Sequence, residues 1–339
     1  MNLKEIREIA RQRMEGSCRL CRVCNGVVCA GETPGMGGVG SGAGFQNNVA
    51  ALQRIRLNMR TLHDVMEPDL RVELFGLQLD FPVLAAPVAG MGLNFPAVGT
   101  EEDLARWAVV GAKMAGTLGM SGDGPDPTTF PSGLRAIQHV HGHGIPVVKP
   151  LPLQDLQPKI EQAEQAGCVA LAMDIDAAGI LMMRRAGYRV GPKTKAEIAD
   201  IVASTKLPFI LKGIMTADDA EKAVEAGVAG IVVSNHGGRI LDHTPGTAEV
   251  LGEIAAAVQG RITVLMDGGI RSGFDVMKVL ALGADAVLVG RPLTVAGFGN
   301  GEQGVCTQLL QFRDELERAM VLTGCRTLAD VGPHVIRQA

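Results

Sequence analysis

The stretch ITVLMDGGIRSGFDVMKVLALGADAVLVGRP, residues 262–292, holds one full structural period. Its opening run is apolar and β-branched up to Asp267, as in a strand buried on both faces. Glycines and an arginine follow, then a helical segment that closes at Gly283, then a second apolar run. The unit recurs along the chain. GAKMAGT from Gly111, GCVALAMD from Gly167, GVAGIVVSN from Gly227 and GADAVLVGR from Gly283 each pass from a helix-ending glycine into an apolar stretch. FPVLAAP from Phe81, IPVVKP from Ile145, LPFILKG from Leu207 and ITVLMDGG from Ile262 interleave with them. Capping patterns at Thr194–Glu197 and Thr216–Asp219 start helices in the gaps. Eight strands alternating with helices predict an α/β fold, a (β/α)8 TIM barrel, with a doubly wound sheet as the alternative.

The 339 residues divide on this reading into an N-terminal arm, 1–75, and a barrel, 76–339. The arm is irregular and partly helical. It opens on an amphipathic segment, MNLKEIREIARQRM, which lacks the apolar core of a signal peptide. Residues 40–64 read as helical, and VELFGLQLDF as a hairpin capping the barrel floor. A net charge of −4 and 3% aromatics argue against a nucleic-acid surface. No apolar run reaches the roughly 20 residues of a membrane span. A cytoplasmic homo-oligomer is expected.

In such a barrel the chemistry sits where strands end. The predicted ends carry Pro87 and Ala89, Thr117, Lys149, Asp174, Lys212, Asn235 and His236, Asp267, Gly290 and Arg291. The last two units, DGGIRSG and VGRP, set glycines and an arginine between strand and helix. Free backbone N–H groups and the helix dipole favour an anion there. Arg271 and Arg291 add planar donors, so a phosphorylated cofactor or substrate is expected.

SNHGGRILD, 234–242, followed by DGGIRSGFDVMKVLALGADAVLVGRP, closely resembles the FMN-dependent α-hydroxy-acid oxidases and dehydrogenases, which include the glycolate and lactate oxidases. LPFILKGI and TADDAEKAVEAG fit the same pattern. The resemblance runs from about residue 40 to the end. It implies oxidation of an α-hydroxy acid to a 2-oxo acid, with FMN across the barrel mouth and an electron acceptor that the sequence does not identify. His236 would be the base, Asp174 would pair with it, and Lys212 would sit beside the flavin. Arg239 would hold the substrate carboxylate. The FMN site would comprise Pro87, Val88, Ala89, Thr117, Lys149, Lys212, Ser234, His236, Gly237, Asp267, Gly268, Gly269, Arg271, Gly290 and Arg291. Two other readings stay open: a non-redox FMN enzyme of the type 2 isopentenyl-diphosphate isomerase kind, and a flavin-binding protein without turnover.

The chain departs from the family pattern at the substrate clamp. The family's two tyrosines have no counterpart, since Tyr188 is the single tyrosine; Gly38 and Leu151 stand near their places. Lys149 replaces a glutamine beside the flavin. It is expected to hold a substrate carboxylate or phosphate, to stabilise reduced flavin, or to bridge to Asp174. Leu181 stands near the place of a second carboxylate-binding arginine, with Arg184 and Arg185 close by.

The arm carries CRLCRVCNGVVC, with Cys18, Cys21, Cys24 and Cys29. This C-x2-C-x2-C-x4-C spacing suits zinc or an iron–sulfur cluster, redox-active thiols or a disulfide, or inert cysteines. His139, His141 and His143 precede the third strand, on the floor side, and read as surface loop. Cys168, Cys306 and Cys325 read as packing residues.

Overall fold

The computed structural model describes residues 1–95 and 99–338. Eight parallel strands run Val83–Ala85, Met120–Ser121, Ile145–Val148, Leu171–Asp174, Phe209–Ile214, Gly230–Val233, Thr263–Asp267 and Ala286–Val289. From the second onward each pairs with the next, the eighth pairs with the first, and an isolated bridge between Ala85 and Gly119 closes the ring between the first and second. This is the expected TIM barrel.

Strand alternation explains why it fills. One residue from every strand points inward: Leu84, Met120, Val147, Ala172, Ile210, Val232, Leu265 and Leu288. All eight are essentially inaccessible to solvent. Their neighbours, such as Val83, Val148 and Val287, face outward into the helix layer. Burying each of the larger of these side chains stabilises the fold by roughly 1.5–3 kcal/mol. The predicted hairpin forms from Val72–Leu74 and Leu77–Leu79, and its Leu74 and Leu79 join the inward-facing core as the floor.

Two expectations are corrected. GAKMAGT is not the second strand. Its first residues end the helix Glu101–Met114, and the strand is only Met120–Ser121. Thr117 therefore precedes that strand on the floor side. Its hydroxyl donates to the Val83 carbonyl at 2.9 Å, and its own carbonyl bonds His143. The helix in 40–64 ends at Arg54, where the short strand Ile55–Leu57 pairs with Ile336–Gln338.

The first helix, Leu3–Arg13, is capped by Asn2 and buries Ile6 and Ala10. Arg13 donates to the Phe298 carbonyl on the long helix that follows the last strand. Between these anchors the arm is irregular and lies over the barrel mouth. Among the described residues no helix is long and apolar enough to cross a membrane.

Candidate active site

The C-terminal ends of the strands and the overlying arm enclose a cavity of about 590 Å³. All the expected cofactor and substrate residues line it except Thr117 and Ser234. Thr117 is displaced for the reason given above. Ser234 is fully buried beneath the turn, where its hydroxyl donates to Asp267 at 2.6 Å and accepts from the His236 N–H at 3.0 Å.

That bond begins an unusual turn. His236, Gly237 and Gly238 have φ of 56°, 64° and 75°, all left-handed. Glycine adopts this freely and histidine does not. The arm presses on the same turn: a Cβ on Gly238 would lie 2.2 Å from the Phe45 nitrogen. One on Gly237 would lie 2.6 Å from Arg291 Nη1. The glycines are needed because backbone and an arginine pass here, and the turn aims His236 into the cavity.

The His236 partner differs from expectation. Nδ1 lies 3.1 and 3.2 Å from the two Asp176 oxygens, but 4.0 Å from Asp174. Asp176 is therefore the carboxylate that orients the ring. The only sequence sign of it is the acid pair in MDID. After Asp174 the chain enters a tight 3-10 turn, Ile175–Gly179, that brings the second acid back over the mouth.

Asp174 instead sits between two ammonium groups. Lys149 Nζ is 2.7 Å away and Lys212 Nζ 3.2 Å, all three being buried. Lys212 also lies 3.6 Å from Asp267. Burial alone would raise the Asp174 carboxyl, but the two lysines and His236 outweigh it and hold the group below the usual carboxylate range. Burial likewise opposes the Lys212 charge, but Asp174, Asp267 and Asp176 reverse it and raise the ammonium above its ordinary value. The salt bridge expected of Lys149 is present, and the same side chain still lines the cavity.

The arginines carry the opposite imbalance. Arg239 donates to the Gly35 carbonyl and to Asn94 Oδ1 but forms no salt bridge among the described residues, and burial lowers its pKa. Arg291 stacks on Phe45, 3.7 Å from the ring centre, and donates to the carbonyls of Met36, Gly37 and Gly237. Burial, then repulsion from Arg239 and Arg271, pushes it down to about 9. Arg271 donates to the carbonyls of Cys24 and Ile270. Carbonyls satisfy these donors without neutralising their charge.

Six lysines and arginines line the cavity against three aspartates, a formal excess of 6 − 3 = 3 positive charges. A phosphate monoester brings roughly two negative charges and a carboxylate one. The donor set thus fits FMN with a carboxylate substrate. Arg185 joins the lining, whereas Arg184 turns away to the Ala178 carbonyl. Leu181, Met182, Met183 and Ile180 give the cavity an apolar wall.

The four arm cysteines line a neighbouring cavity and form no disulfide. Among the described residues, no three of their sulfurs lie within 4.8 Å of one another. Cys168, Cys306 and Cys325 are buried, as expected of packing residues.

Comparison with known proteins agrees with this geometry. The model of the FMN-dependent dehydrogenase family matches residues 35–196 and 182–338. Glycolate oxidase 3 of Arabidopsis thaliana is 33% identical over 336 residues, covering 85% of this chain and 86% of that protein. The 2-hydroxyacid oxidase 2 of Homo sapiens is 32% identical, covering 89% and 92%. A crystal structure of mandelate oxidase superposes with a TM-score of 0.80 at 32% identity, covering 97% of this chain and 96% of that one.

Proposed function

The chain belongs to the FMN-dependent dehydrogenase family, and from that premise we propose that it oxidises an α-hydroxy acid with an apolar side chain to the 2-oxo acid. The observation that carries this reading is the pairing, in one cavity, of an imidazole oriented by Asp176 with the uncompensated Arg239 guanidinium. With Nδ1 committed to Asp176, Nε2 of His236 is left to take the proton of the substrate hydroxyl. Arg239 holds the substrate carboxylate by a planar fork. Leu181, Met182 and Met183 receive the substituent on the α-carbon, a preference supported by the apolar wall. Proteins of similar structure include mandelate oxidase bound to (S)-2-phenylpropionate, a carboxylate with an aromatic substituent.

Bound FMN supplies the ring that accepts the substrate's electrons. Arg271 and Arg291 would hold its phosphate at the last two strand ends, and Lys212 would keep a fixed positive charge beside the ring. Pro87, Val88 and Ala89 would pack along its edge. The purified protein is expected to release FMN and not FAD on denaturation, identified by chromatography. FMN at a hundred times its Kd should stabilise the apoprotein by about 2.7 kcal/mol in a thermal melt. A colourless protein that takes up no FMN would refute the cofactor assignment.

The deciding experiment is anaerobic mixing with a series of 2-hydroxy acids of increasing side-chain size. Bleaching of the flavin by members with apolar substituents supports the proposal. Product without bleaching would indicate chemistry without net redox, and a flavin that no acid bleaches would indicate a binding protein. Arg239→Lys should raise the substrate Kd at least about tenfold while FMN stays bound, because a point charge replaces a two-pronged donor. An unchanged Kd would move the carboxylate elsewhere, with Arg185 the next candidate.

A further inference from the structure

We propose that Cys18, Cys21, Cys24 and Cys29 hold a [4Fe–4S] cluster in the cavity next to the flavin site. All four line one cavity of about 530 Å³, with none in a disulfide. Around one tetrahedral zinc, with bonds of about 2.3 Å, thiolates lie roughly 3.8 Å apart. Here no three of the sulfurs come within 4.8 Å of one another. A cubane spaces its cysteinyl sulfurs more widely, because iron and sulfide stand between them. As they stand, the sulfurs do not form a single-zinc site, and the cavity around them leaves room for a larger group.

The charge around the cavity agrees. Five arginines line it against one aspartate. A cubane with four thiolate ligands is an anion, and N–H donors to its cysteinyl sulfurs stabilise it. Two such donors are already aimed at sulfur: the Leu20 N–H at Cys18 Sγ, 3.4 Å, and Arg271 Nη2 at Cys24 Sγ, 3.5 Å.

The loop has no regular structure of its own and few apolar anchors, Leu20 being the buried one. Residues 18–29 form no helix or strand, and Val23, Val27 and Val28 are each more than half exposed. A segment that leaves its valines in water while its four half-buried cysteines line one cavity suits a metal-ordered loop. Two neighbouring side chains fix it. Arg7 donates to the carbonyls of Leu20 and Cys21, and Arg271 to that of Cys24. The two cavities share a wall of Met36, Gly269, Arg271 and Arg291. The cluster would lie on one side of the two arginines and the FMN phosphate on the other.

The test is metal analysis of the full-length protein prepared without oxygen, and again after reconstitution with ferrous iron and sulfide. About four iron atoms and four acid-labile sulfides per chain are expected. Dithionite should produce a low-temperature paramagnetic resonance signal distinct from that of flavin. Cys24→Ser should lose the iron and the signal while keeping FMN. About one zinc per chain, a disulfide, or four thiols still open to alkylation after reconstitution would each overturn the proposal. None of these readouts uses a substrate, so they stand apart from the hydroxy-acid assignment.

Discussion

His236→Ala is expected to bind FMN and to lose flavin reduction by substrate, by on the order of a hundred- to ten-thousand-fold. The imidazole is the one side chain at the mouth with a free ring nitrogen and a carboxylate holding the other. The phosphate loops follow the last two strands, whereas the imidazole follows the sixth, so its removal should change cofactor affinity little provided the turn is kept. The backbone complicates the alanine variant. His236 has φ of 56°, and the Gly237 carbonyl next to it accepts from Arg291. Alanine would strain that conformation, whereas asparagine enters it several-fold more readily than most residues. His236→Asn should therefore keep the turn and lose the base. Rapid-mixing measurements under anaerobic conditions on both variants separate chemistry from backbone. If His236→Asn reduces its flavin at the wild-type rate, the base lies elsewhere.

The sequence showed what repeats and what is apolar, and little of what the turns do. Seven of the strands announce themselves as apolar runs of three to six residues. The second does not, because two residues, Met120 and Ser121, leave no run to see. The nearby alanines of GAKMAGT belong to a helix end, which is how Thr117 came to be expected at the mouth. Asp174 was legible as the last residue of its strand. Asp176 was not, since a tight turn and not strand alternation decides where it points. Ser234 directly follows the strand Gly230–Val233, yet its side chain bonds to Asp267 under the turn and not into the cavity. The arm's position over the arginines is carried by backbone carbonyls of Cys24, Met36 and Gly37, which no side-chain pattern encodes.

Asp174→Asn should cost about 3–5 kcal/mol of stability, the usual loss when one member of a buried ion pair is removed. Two buried ammonium groups, Lys149 and Lys212, converge on this carboxylate at 2.7 and 3.2 Å. Asparagine keeps the shape and removes the charge. Lys212 retains Asp267 at 3.6 Å, but Lys149 has no other carboxylate among its described salt bridges. The loss should therefore be repaired from the Lys149 side. Lys149→Met in the Asp174→Asn background is expected to restore much of the stability, and the cycle of single and double variants reads the coupling directly. The pH dependence follows from the two shifts. Asp174 is held below its ordinary value, so its contribution is present above the unfolded carboxylate range and fades as acid protonates it. Lys212 is held above its ordinary value, so its contribution is present below the unfolded lysine range and fades only at high pH. The gap between wild type and Asp174→Asn should thus be widest from about pH 5 to pH 9 and narrow on acidification, because below the ordinary carboxylate range the unfolded wild-type chain binds a proton that the folded carboxylate does not. Denaturant unfolding of the four proteins at pH 7, with wild type and Asp174→Asn repeated at pH 3, measures this. A neutral-pH loss below about 1 kcal/mol, or no recovery in the double variant, would mean that water or rearranged carboxylates already neutralise these lysines.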